Sequence, residues 1–531
     1  MRLLSLVSLG AIAAGRVLGQ SEFEPADFNA TEALLANGVD PSILLSLENT
    51  LEGSVLARTT PCAIACATLQ KVFGVTKLFT TDVLSYWSAQ QDAVTPVCTF
   101  KPTTALEVST LVLLSRVAQC PFAVKGGGHA AFKGASNIDG GVTISLEKFN
   151  KIQALPSGVA SIGAGSRWYD VYTTLQRSNL AVVGGRASSV GVSGLTLGGG
   201  ISHHTNLRGF ACDNVAEYEV VTASGLILYA TPKQYPDLYW ALRGGGPNFG
   251  IVTNFKLETF SQGPMWGGSR DHTPDAIPAA RKAFVNMINN AAQDPNAAHW
   301  MIHAAAQQAP GVKIVSSELE YPKQFSPSSP PAILKEYLAI PAYEDNTGNR
   351  TLAEITVLLN DSMPAGNRQS FWSAAFKNDL GMVDFIGDYF FSTVAEKFPV
   401  ASIAYQSISK PALTAMARNG GNALGLKAAD GPFFHILLAV TWQDASQDTA
   451  VYKGAKAFID AITAEAKKRN LASSYIYMNY ASPYQKVIDG YGSANVAKLK
   501  SIAEKYDPAQ IFQKLQPGGF KLNGAPFGTN P

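Results

Sequence analysis

The segment PFAVKGGGHA, residues 121–130, sets three successive glycines directly behind a short apolar run. Glycine allows backbone conformations closed to other residues, so the peptide N–H groups of such a loop can converge on an anion. A second cluster, GGRASSVGVSGLTLGGG, occupies residues 184–200, and a third, RGGGPNFG, occupies residues 243–250. One such cluster alone is typical of a tight turn. Three in one region, each bordered by strand-like sequence, favour a site for a large polyphosphate cofactor.

Composition and motifs exclude several classes of protein. The chain has 531 residues, of which 46% are hydrophobic and 15% charged, as expected for a globular protein of two or three domains. Lys and Arg number 42 against 40 acidic residues, and no basic run stands out, so nucleic-acid binding has little support. Neither GxGxxG in a βαβ unit nor GxxxxGK[ST] is present, which excludes the Rossmann and P-loop interpretations.

The first residues have the pattern of a secretory signal. Arg2 precedes an apolar stretch from Leu3 to Ala14, and small residues follow up to Gly19, where we expect cleavage. The apolar stretch is too short for a membrane span of about 20 residues, and Arg16 interrupts it. We therefore expect a secreted protein with no membrane partner.

Secretion makes the five cysteines readable as possible disulfides. Cys62, Cys66, Cys98 and Cys120 precede the first glycine loop, so two bridges among them are plausible and their pairing is open. Cys212 is then left over, as a small buried residue. Zinc is the rival for Cys62 and Cys66, but no partner follows at metal spacing, and we predict no metal site. The sequons at Asn29, Asn349 and Asn360 predict glycosylation.

Sequence texture divides the chain into five parts. Behind the signal (1–19), residues 20–60 read as an N-terminal extension and 61–259 as an α+β domain of short strands, helices and glycine turns. Residues 260–470 read as a second α+β unit with longer helices, and 471–531 as a C-terminal segment. In that last segment, SSYIYMNYAS (473–482) predicts a strand and SANVAKLKSIAEKYDP (493–508) a helix ended by proline.

Together, these motifs resemble the berberine bridge enzyme-like oxidases of the vanillyl-alcohol oxidase and p-cresol methylhydroxylase (VAO/PCMH) flavoprotein superfamily. The resemblance rests on GGGH, VGVSGLTLGGG, CDNV, RGGGPNFGIVT and the tail YMNYAS to YDPAQIFQKLQPGGFKL, and it covers Pro61 to Leu522. It implies a two-domain α+β flavoprotein. The outer segments would form the FAD domain, and the middle segment a substrate domain whose antiparallel sheet, backed by helices, roofs the flavin.

The resemblance also implies how FAD is attached. His129 stands where the family links a histidine ring nitrogen to the flavin 8-methyl carbon. Many relatives add a second link from a cysteine, but that position is Ala187 here, so we expect one bond only, and Leu195 stands where many relatives have histidine. Val190 falls at the position of the small oxygen gate beside the flavin, which favours an oxidase that reduces O2 to hydrogen peroxide.

A further set of residues is placed along the cofactor by the same resemblance. Asn214 and Val215, with Gly250, Ile251 and Val252, would approach the adenine and ribose side, and Asn479 the ribityl chain or ring edge. The other expected contacts are Lys125, Gly126, Gly127, Gly128, Ala130, Ser189, Gly191, Gly194 and Ile201.

The catalytic base is the open question at this level. Hydride transfer is easier if a nearby group removes the substrate's hydroxyl proton, and Tyr480, matching the family's Asn-Tyr element, is the candidate. Its alternative is a core aromatic residue. Relatives that pair this tyrosine with another have it at the place of Ile201, so the paired mechanism is in doubt. His203 and His204 are further candidates, and the middle segment offers, without a choice among them, Lys427, Asp430, His435 and Gln443.

The sequence thus predicts a monomeric secreted FAD oxidase that takes a hydride from an alcohol or amine carbon of a small molecule and passes the electrons to O2. The alternatives are an oxidative cyclase of secondary metabolism, a carbohydrate oxidase, or a degenerate flavoprotein that keeps FAD only as part of a binding protein. The single histidine link and the absence of a second anchor weakly disfavour oligosaccharides.

Overall fold

A computed structural model describes residues 22–57, 60–80, 84–305, 313–326, 328–398 and 400–531. The predicted signal lies outside them. Within these ranges the strands form three sheets. In the first sheet, Phe122–Lys125 and Cys98–Phe100 lie on either side of Val142–Ser145 and run parallel to it. Leu78–Phe79 pairs antiparallel with Cys98–Phe100 at the edge. The strand Phe122–Lys125 leads directly into the GGGH loop. The glycine loop therefore leaves the carboxyl end of a buried parallel strand.

The second sheet is antiparallel and contains the long strand Ile251–Ser261 at its centre. This strand begins directly after the third glycine cluster, so its pairing in the sheet holds the end of that cluster in position. Its remaining strands are Ile152–Leu155, Val159–Gly163, Leu180–Val182, Val215–Val221 and Ile227–Ala230.

The third sheet belongs to the middle of the chain and is antiparallel throughout. Its main strands follow the order Met265–His272, Lys313–Tyr321, Ala298–Ala305, Ala401–Ile408, Phe433–Trp442 and Arg368–Lys377, and the short strands Glu344–Asp345 and Gly348–Arg350 pair with the first of these. Because side chains alternate along a strand, one face is available to helices and the other to the first domain.

Helices cover both units. Those outside the middle segment are Ala30–Ala36, Pro41–Ala57, Pro61–Phe73, Ala89–Asp92, Ala105–Ala118, Trp168–Leu175, Val192–Leu197, Thr205–Arg208, Pro236–Leu242, Ser493–Tyr506 and Ile511–Lys514. Those of the middle segment are Ile277–Asn290, Lys335–Leu338, Leu352–Asp361, Leu380–Thr393, Lys410–Met416 and Asp448–Lys468. Among the residues covered, no helix is both long and apolar enough to cross a membrane.

Two disulfides fasten the helix Pro61–Phe73 to the first sheet and its neighbouring helix. Cys62 is bonded to Cys120 and Cys66 to Cys98, which confirms the four cysteines predicted to form bridges and supplies their pairing. Cys212 is free and buried. The extension ahead of this helix is not a loose tail, because Leu34 and Leu47 are buried in the core of the first unit.

Two hydrophobic cores correspond to the two predicted units. The boundary between the two cores, here called the seam, does not coincide with a single point along the chain. Leu352, Ile355, Leu413 and Phe433 lie in the middle segment but pack into the core of the FAD-type unit. The antiparallel sheet is thereby held directly over the glycine loops, and the mixed α+β fold is the one expected from the sequence.

Candidate functional site

The first two glycine clusters meet backbone to backbone. A Cβ built on Gly127 would lie 2.4 Å from the Gly191 nitrogen, and one built on Gly191 would lie 2.4 Å from the Gly127 nitrogen. A Cβ on Gly126 would lie 2.1 Å from Ser193 Oγ. These positions are glycine because two loop backbones touch there. The segments 126–128 and 191–194 consequently form one continuous wall.

Space for a ligand opens beside this wall. A Cβ on Gly194 would have no heavy atom within 4 Å, and Gly194 is exposed. The surroundings are positively charged, because Lys125 is buried under the GGGH loop and Arg167 donates to the Ser189 carbonyl at 2.9 Å. Burial, and then the charge of Arg167, lower the pKa of the Lys125 ammonium. An anionic cofactor would relieve this unfavourable concentration of charge.

His129 is held in a defined orientation at the end of the loop. Its ring stacks on Trp87 with centroids 4.9 Å apart and planes 13° from parallel, and its Nε2 lies 2.8 Å from Ser189 Oγ. Burial, aided by the Arg167 charge, lowers the pKa of His129 to about 4. The imidazole is therefore neutral near pH 7, the state in which it is a nucleophile. Neighbouring Ala130 is partly buried, and its carbonyl accepts a hydrogen bond from Ser88.

The third sequon residue lies beside this histidine. Asn360 is partly buried, and its Oδ1 accepts hydrogen bonds from the backbone N–H and the hydroxyl of Ser189. Asn29 and Asn349 are exposed, as a glycan requires. Glycosylation at the three sequons stays a prediction, because a glycan is carried by the amide nitrogen and these hydrogen bonds of Asn360 engage its oxygen.

Asn479 supports the second glycine cluster from behind. Its Nδ2 donates to the Leu195 carbonyl at 2.9 Å and to Tyr477 Oη at 3.0 Å, and Tyr477 Oη also accepts from the Ile201 N–H at 3.0 Å. A Cβ on Gly198 would lie 2.0 Å from Asn479 Oδ1. Asn479 and Ile201 thus shape the loop that carries Val190 and Gly194.

The segments expected on the adenine and ribose side lie at different levels of the second sheet. Ile251 pairs with Val221, whereas Val215 pairs with Leu257. Six residues of strand, about 20 Å, therefore separate Val215 from the level of Ile251. Their approach to the adenine and ribose side stays a prediction, in which the two segments would contact different parts of the cofactor.

The side chain of Asn214 is also occupied within the protein. Its amide nitrogen donates to the carbonyls of Arg208 and Phe210, and its oxygen accepts from Arg418 at 2.7 Å. The predicted approach of Asn214 to the cofactor would then use its backbone, and it stays a prediction.

The antiparallel sheet presents a polar row to the first domain. Trp300 is paired with Glu318 on one side and with Gln406 on the other, and Gln406 is paired with His435. Directly paired residues of antiparallel strands point to the same face. Four strands from distant parts of the chain therefore place an acid, an indole, an amide and an imidazole side by side.

Arg186 of the second glycine cluster reaches this row. Its Nη2 donates to Gln406 Oε1 at 2.7 Å and to Tyr480 Oη at 2.8 Å, and its guanidinium lies 4.3 Å from the Trp300 ring centroid. Gln406 Nε2 also donates to Tyr480 Oη, at 3.3 Å. Two donors face the Tyr480 oxygen, and both stabilise a negative charge on it.

Several buried groups around Arg186 lack partners. Glu320 Oε2 and both ring nitrogens of His203 and His435 make no hydrogen bond within the described chain, and all three side chains are buried. His203 Nδ1 lies 3.7 Å from Glu320 Oε2. Burial lowers the pKa of both histidines to about 3 and raises that of the Glu320 carboxyl well above its usual range. Unsatisfied buried polar groups of this kind indicate a ligand-binding cavity.

The remaining candidates for the base separate clearly. His204 meets Phe260 edge-on at 4.8 Å, and Arg208 lies over the same ring. The role of His204 as a base stays a prediction. Lys427, Asp430 and Gln443 are exposed. Of the four middle-segment candidates, only His435 lies at the site, where it stacks on Tyr480 at 5.9 Å.

A line of aromatic contacts joins the two halves of the site. Trp87, which stacks on His129, lies 5.2 Å from Phe371, and Phe371 lies 6.1 Å from Tyr480. A continuous line of aromatic contacts thus connects the proposed attachment residue to the proposed base.

Sequence reasoning missed Arg186, Trp300, Gln406, Glu318 and Glu320. One signal was available, since Glu318 and Glu320 are two residues apart in a strand and so share a face. The other partners are brought together by sheet pairing, which the sequence does not display.

The residues fit FAD. Bare glycine backbone lies beside positive charge, a neutral imidazole ends the first glycine loop, and unpartnered polar groups lie on the middle sheet. These features suit a cofactor that carries a diphosphate and a flat ring system.

Comparison with known proteins agrees. Residues 96–231 match the model of the FAD binding domain. The chain is 36% identical over 455 residues to the FAD-dependent monooxygenase tpcD of Cochliobolus heterostrophus, covering 82% of this chain and 87% of that protein. It is 36% identical over 477 residues to the FAD-dependent monooxygenase prx3 of Penicillium roqueforti, covering 85% and 90%. The protein is thus an FAD-dependent oxidoreductase.

Solved structures define the fold more closely. The 6-hydroxy-D-nicotine oxidase of Arthrobacter nicotinovorans superposes with a TM-score of 0.69 at 19% identity, covering 82% of this chain and 96% of that one. Physcomitrella patens BBE-like 1 gives 0.68 at 19%, covering 80% and 92%. Glucooligosaccharide oxidase of Acremonium strictum, described with a 6-S-cysteinyl, 8α-N1-histidyl FAD, gives 0.67 at 19%, covering 83% and 94%. The chain belongs to the family of these FAD-dependent monooxygenases, and it has the fold of the VAO/PCMH-type flavoproteins, to which the berberine bridge enzyme-like proteins belong.

Proposed function

We propose that this protein is a secreted oxidase with FAD bound through His129 alone, acting on an alcohol or amine carbon of an aromatic small molecule. The observation that carries the proposal is the line of aromatic contacts that joins His129 to Tyr480 through Trp87 and Phe371. These aromatic side chains favour a flat substrate over a sugar. When bound, FAD would accept the substrate's hydride and pass the electrons to O2, giving hydrogen peroxide.

The protein's own groups would bind the substrate and move its proton. Tyr480, whose oxygen accepts hydrogen bonds from Arg186 and Gln406, would take the proton of the substrate hydroxyl as the C–H bond breaks. The hydrogen bonds that Arg186 donates to Gln406 and Tyr480 both use Nη2. The guanidinium therefore stays available to an oxygen of the substrate, and Trp300 supports it from below.

The test compares Tyr480→Phe with Tyr484→Phe. Tyr484 is a nearby tyrosine that packs against Trp372 and Tyr452, outside the cavity. A panel of sugars, aromatic alcohols and alkaloids first identifies a substrate by peroxide release. Loss of a general base lowers kcat by about 10²- to 10⁴-fold, so Y480F should show that loss with unchanged flavin content, and Y484F should not. Equal activity of both variants would remove Tyr480 from the reaction.

The attachment is tested separately by acid precipitation. Flavin should stay with wild-type protein, at one FAD per chain by intact mass, and should be released from His129→Ala. A flavin found on Cys212 or on any second peptide would contradict the single link.

A second candidate is oxygen insertion, which the names of the monooxygenase relatives favour. Turnover under ¹⁸O₂ separates the two. An oxidase, including one whose oxidation leads to ring closure, leaves no ¹⁸O in the product and forms one peroxide per product. A monooxygenase transfers one ¹⁸O atom and needs an external reductant.

Secretion and a monomeric state belong to the same proposal. Two disulfides suit an oxidising compartment. Expression in a fungal host should place the protein in the medium with its sequence starting near Gln20, and light scattering should give the mass of one chain. Protein retained in the cell with its first residues intact would contradict secretion.

A further inference from the structure

The side chain of Asn360 reaches across the seam to the residue that contacts His129. Asn360 lies in the last turn of the helix Leu352–Asp361, and one turn earlier the Thr356 carbonyl accepts a hydrogen bond from the Ser188 N–H at 3.0 Å. The helix is thereby fixed against residues 188–189. Asn360 Oδ1 then contacts both the backbone nitrogen and the hydroxyl of Ser189.

The direction of these hydrogen bonds can be worked out. A backbone N–H only donates, so the Asn360 atom that faces Ser189 is the amide oxygen, an acceptor. The Ser189 hydroxyl must then donate its single proton to that oxygen. Having donated its proton, Ser189 Oγ can only accept from His129 Nε2, 2.8 Å away. The proton of the neutral His129 ring is therefore on Nε2, and the lone pair is on Nδ1.

We propose that Ser189 and Asn360 are positioning residues for covalent flavin attachment, which hold His129 with Nδ1 as the nucleophile. Stacking on Trp87 fixes the plane of the His129 ring. The hydrogen bonds through Ser189 to Asn360 fix the orientation of the ring within that plane and its tautomer. As Nδ1 forms its bond, positive charge develops on the imidazole. Ser189 Oγ accepts from the Nε2–H and is itself bonded to Asn360 Oδ1, so the two oxygens stabilise that charge. The carboxylate behind the histidine of a catalytic triad has the same effect.

The step balances with O2 as the oxidant. A bond forms between Nδ1 and the flavin 8-methyl carbon, and one C–H bond of that methyl group breaks. The methyl proton and the imidazole proton are released, and the two electrons reach O2 through the ring system. The products are the histidyl-linked flavin and one hydrogen peroxide. This inference rests on the proposed attachment of FAD at His129.

The experiment measures attachment and not turnover. Wild type, Asn360→Leu, Asn360→Asp and Ser362→Ala are expressed without riboflavin, incubated with FAD in air, and followed by intact mass. N360L removes the acceptor, N360D keeps an acceptor oxygen, and S362A destroys the same sequon while leaving Asn360 in place. The Ser362 side chain donates only to the Leu359 carbonyl, so S362A is a matched control.

We expect N360L to bind FAD but attach it about ten- to a hundred-fold more slowly than wild type, the effect of losing a hydrogen bond to a charged group. N360D and S362A should attach FAD at rates near that of wild type. The linked peptide from wild type should carry the flavin on Nδ1. Ser189→Ala is the second variant, expected to be slow as N360L is, and thermal melts with FAD present confirm that each variant is folded.

Two results overturn the inference while leaving the proposed function intact: N360L and S189A attaching FAD at the wild-type rate, or a wild-type linkage through Nε2. A third result is distinguishable from these. If wild-type protein binds FAD but releases all of it on denaturation, the covalent attachment proposed above fails, and the positioning role fails with it.

Discussion

Replacing Gly127 with alanine probes the contact on which the cofactor wall depends. The new Cβ would lie 2.4 Å from the Gly191 nitrogen and 2.6 Å from its Cα, where ordinary contacts are 3.4 Å or longer. Gly127 has no positive φ, so alanine can adopt its backbone conformation and the effect is purely steric. About 1 Å of separation must be found between two backbones, and neither is the end of a flexible side chain.

The magnitude follows from how firmly Gly191 is held. Val192 N–H donates to the Ser166 carbonyl and Trp168 N–H to the Val190 carbonyl, so residues 190–192 are tied on both sides. Overpacking costs about 1–3 kcal/mol, and we place Gly127→Ala near 3 kcal/mol because both partners are backbone. For a unit of this size that corresponds to a fall in Tm of roughly 6–12 °C. The expected loss is measurable by thermal unfolding with saturating FAD.

Gly194→Ala is the matched control in the same wall. Nothing lies within 4 Å of its Cβ, it has no positive φ, and it sits inside the helix Val192–Leu197. Alanine there improves helix propensity by about 0.8–1 kcal/mol, so the Tm without cofactor should not fall. If the open space is the cofactor's seat, FAD content should fall instead. A G127A protein with wild-type Tm and full FAD would refute the steric reasoning, and a G194A protein with full FAD would place the cofactor elsewhere.

Three further results are expected. Arg243→Met should lower the free energy of unfolding by about 3–5 kcal/mol in urea titrations, because it leaves the Asp213 carboxylate, 2.9 Å away in the native pair, buried without its partner. Replacing both Cys66 and Cys98 with serine should lower it by about 3–4 kcal/mol, from the entropy of a loop whose ends are 32 residues apart. Burial raises the pKa of Glu318 to about 8, so the stability from its protonated form is complete below its ordinary pKa of 4.5 and is lost as pH rises through 8. The Tm of wild type should therefore fall more than that of Glu318→Gln between pH 6 and 9, and parallel curves would contradict the raised pKa.

The FAD-type unit was predictable because its signals are local. Glycine runs, a short apolar strand and a histidine lie within ten residues of one another, and the helix predicted over 493–508 is confirmed at Ser493–Tyr506. The strand predicted over 473–482 is wrong. Tyr475 and Tyr477 are buried with one residue between them, the pattern of a strand, but residues 473–482 belong to no strand. Met478–Tyr480 is a 3-10 helix, and the isolated bridge from Ala472 to Phe376 lies just before the segment. Alternating burial shows an extended chain and does not show that a partner strand lies beside it.

The polar row of the middle sheet was not predictable for the opposite reason. Trp300, Gln406 and His435 become neighbours only through antiparallel pairing, over sequence separations that periodicity does not register. The case of Asn360 is similar. Its Asn-Asp-Ser triplet reads as a glycosylation signal, and the competing role appears only when the helix docks against Ser188 and Ser189.

We expect the motifs that identify this family and the residues that determine its substrate to lie in different parts of the fold. Arg243 of RGGGPNFG donates a hydrogen bond to the Asp213 carboxylate of CDNV. Arg243 also donates to the carbonyls of Arg418 and Asn419 at the seam. Arg243 and Asp213 hold the middle segment in place and do not approach Tyr480. We expect chemistry specific to this chain to be carried instead by the polar row of the middle sheet. That sheet face is held in place by contacts at the seam and by the core of its own unit. We therefore expect side chains of the polar row to be replaceable without disturbing the glycine wall of residues 126–128 and 191–194. Substitution of Gln406 or His435 should accordingly alter which substrates react while leaving FAD content unchanged, whereas substitution of Arg243 should affect folding and cofactor together.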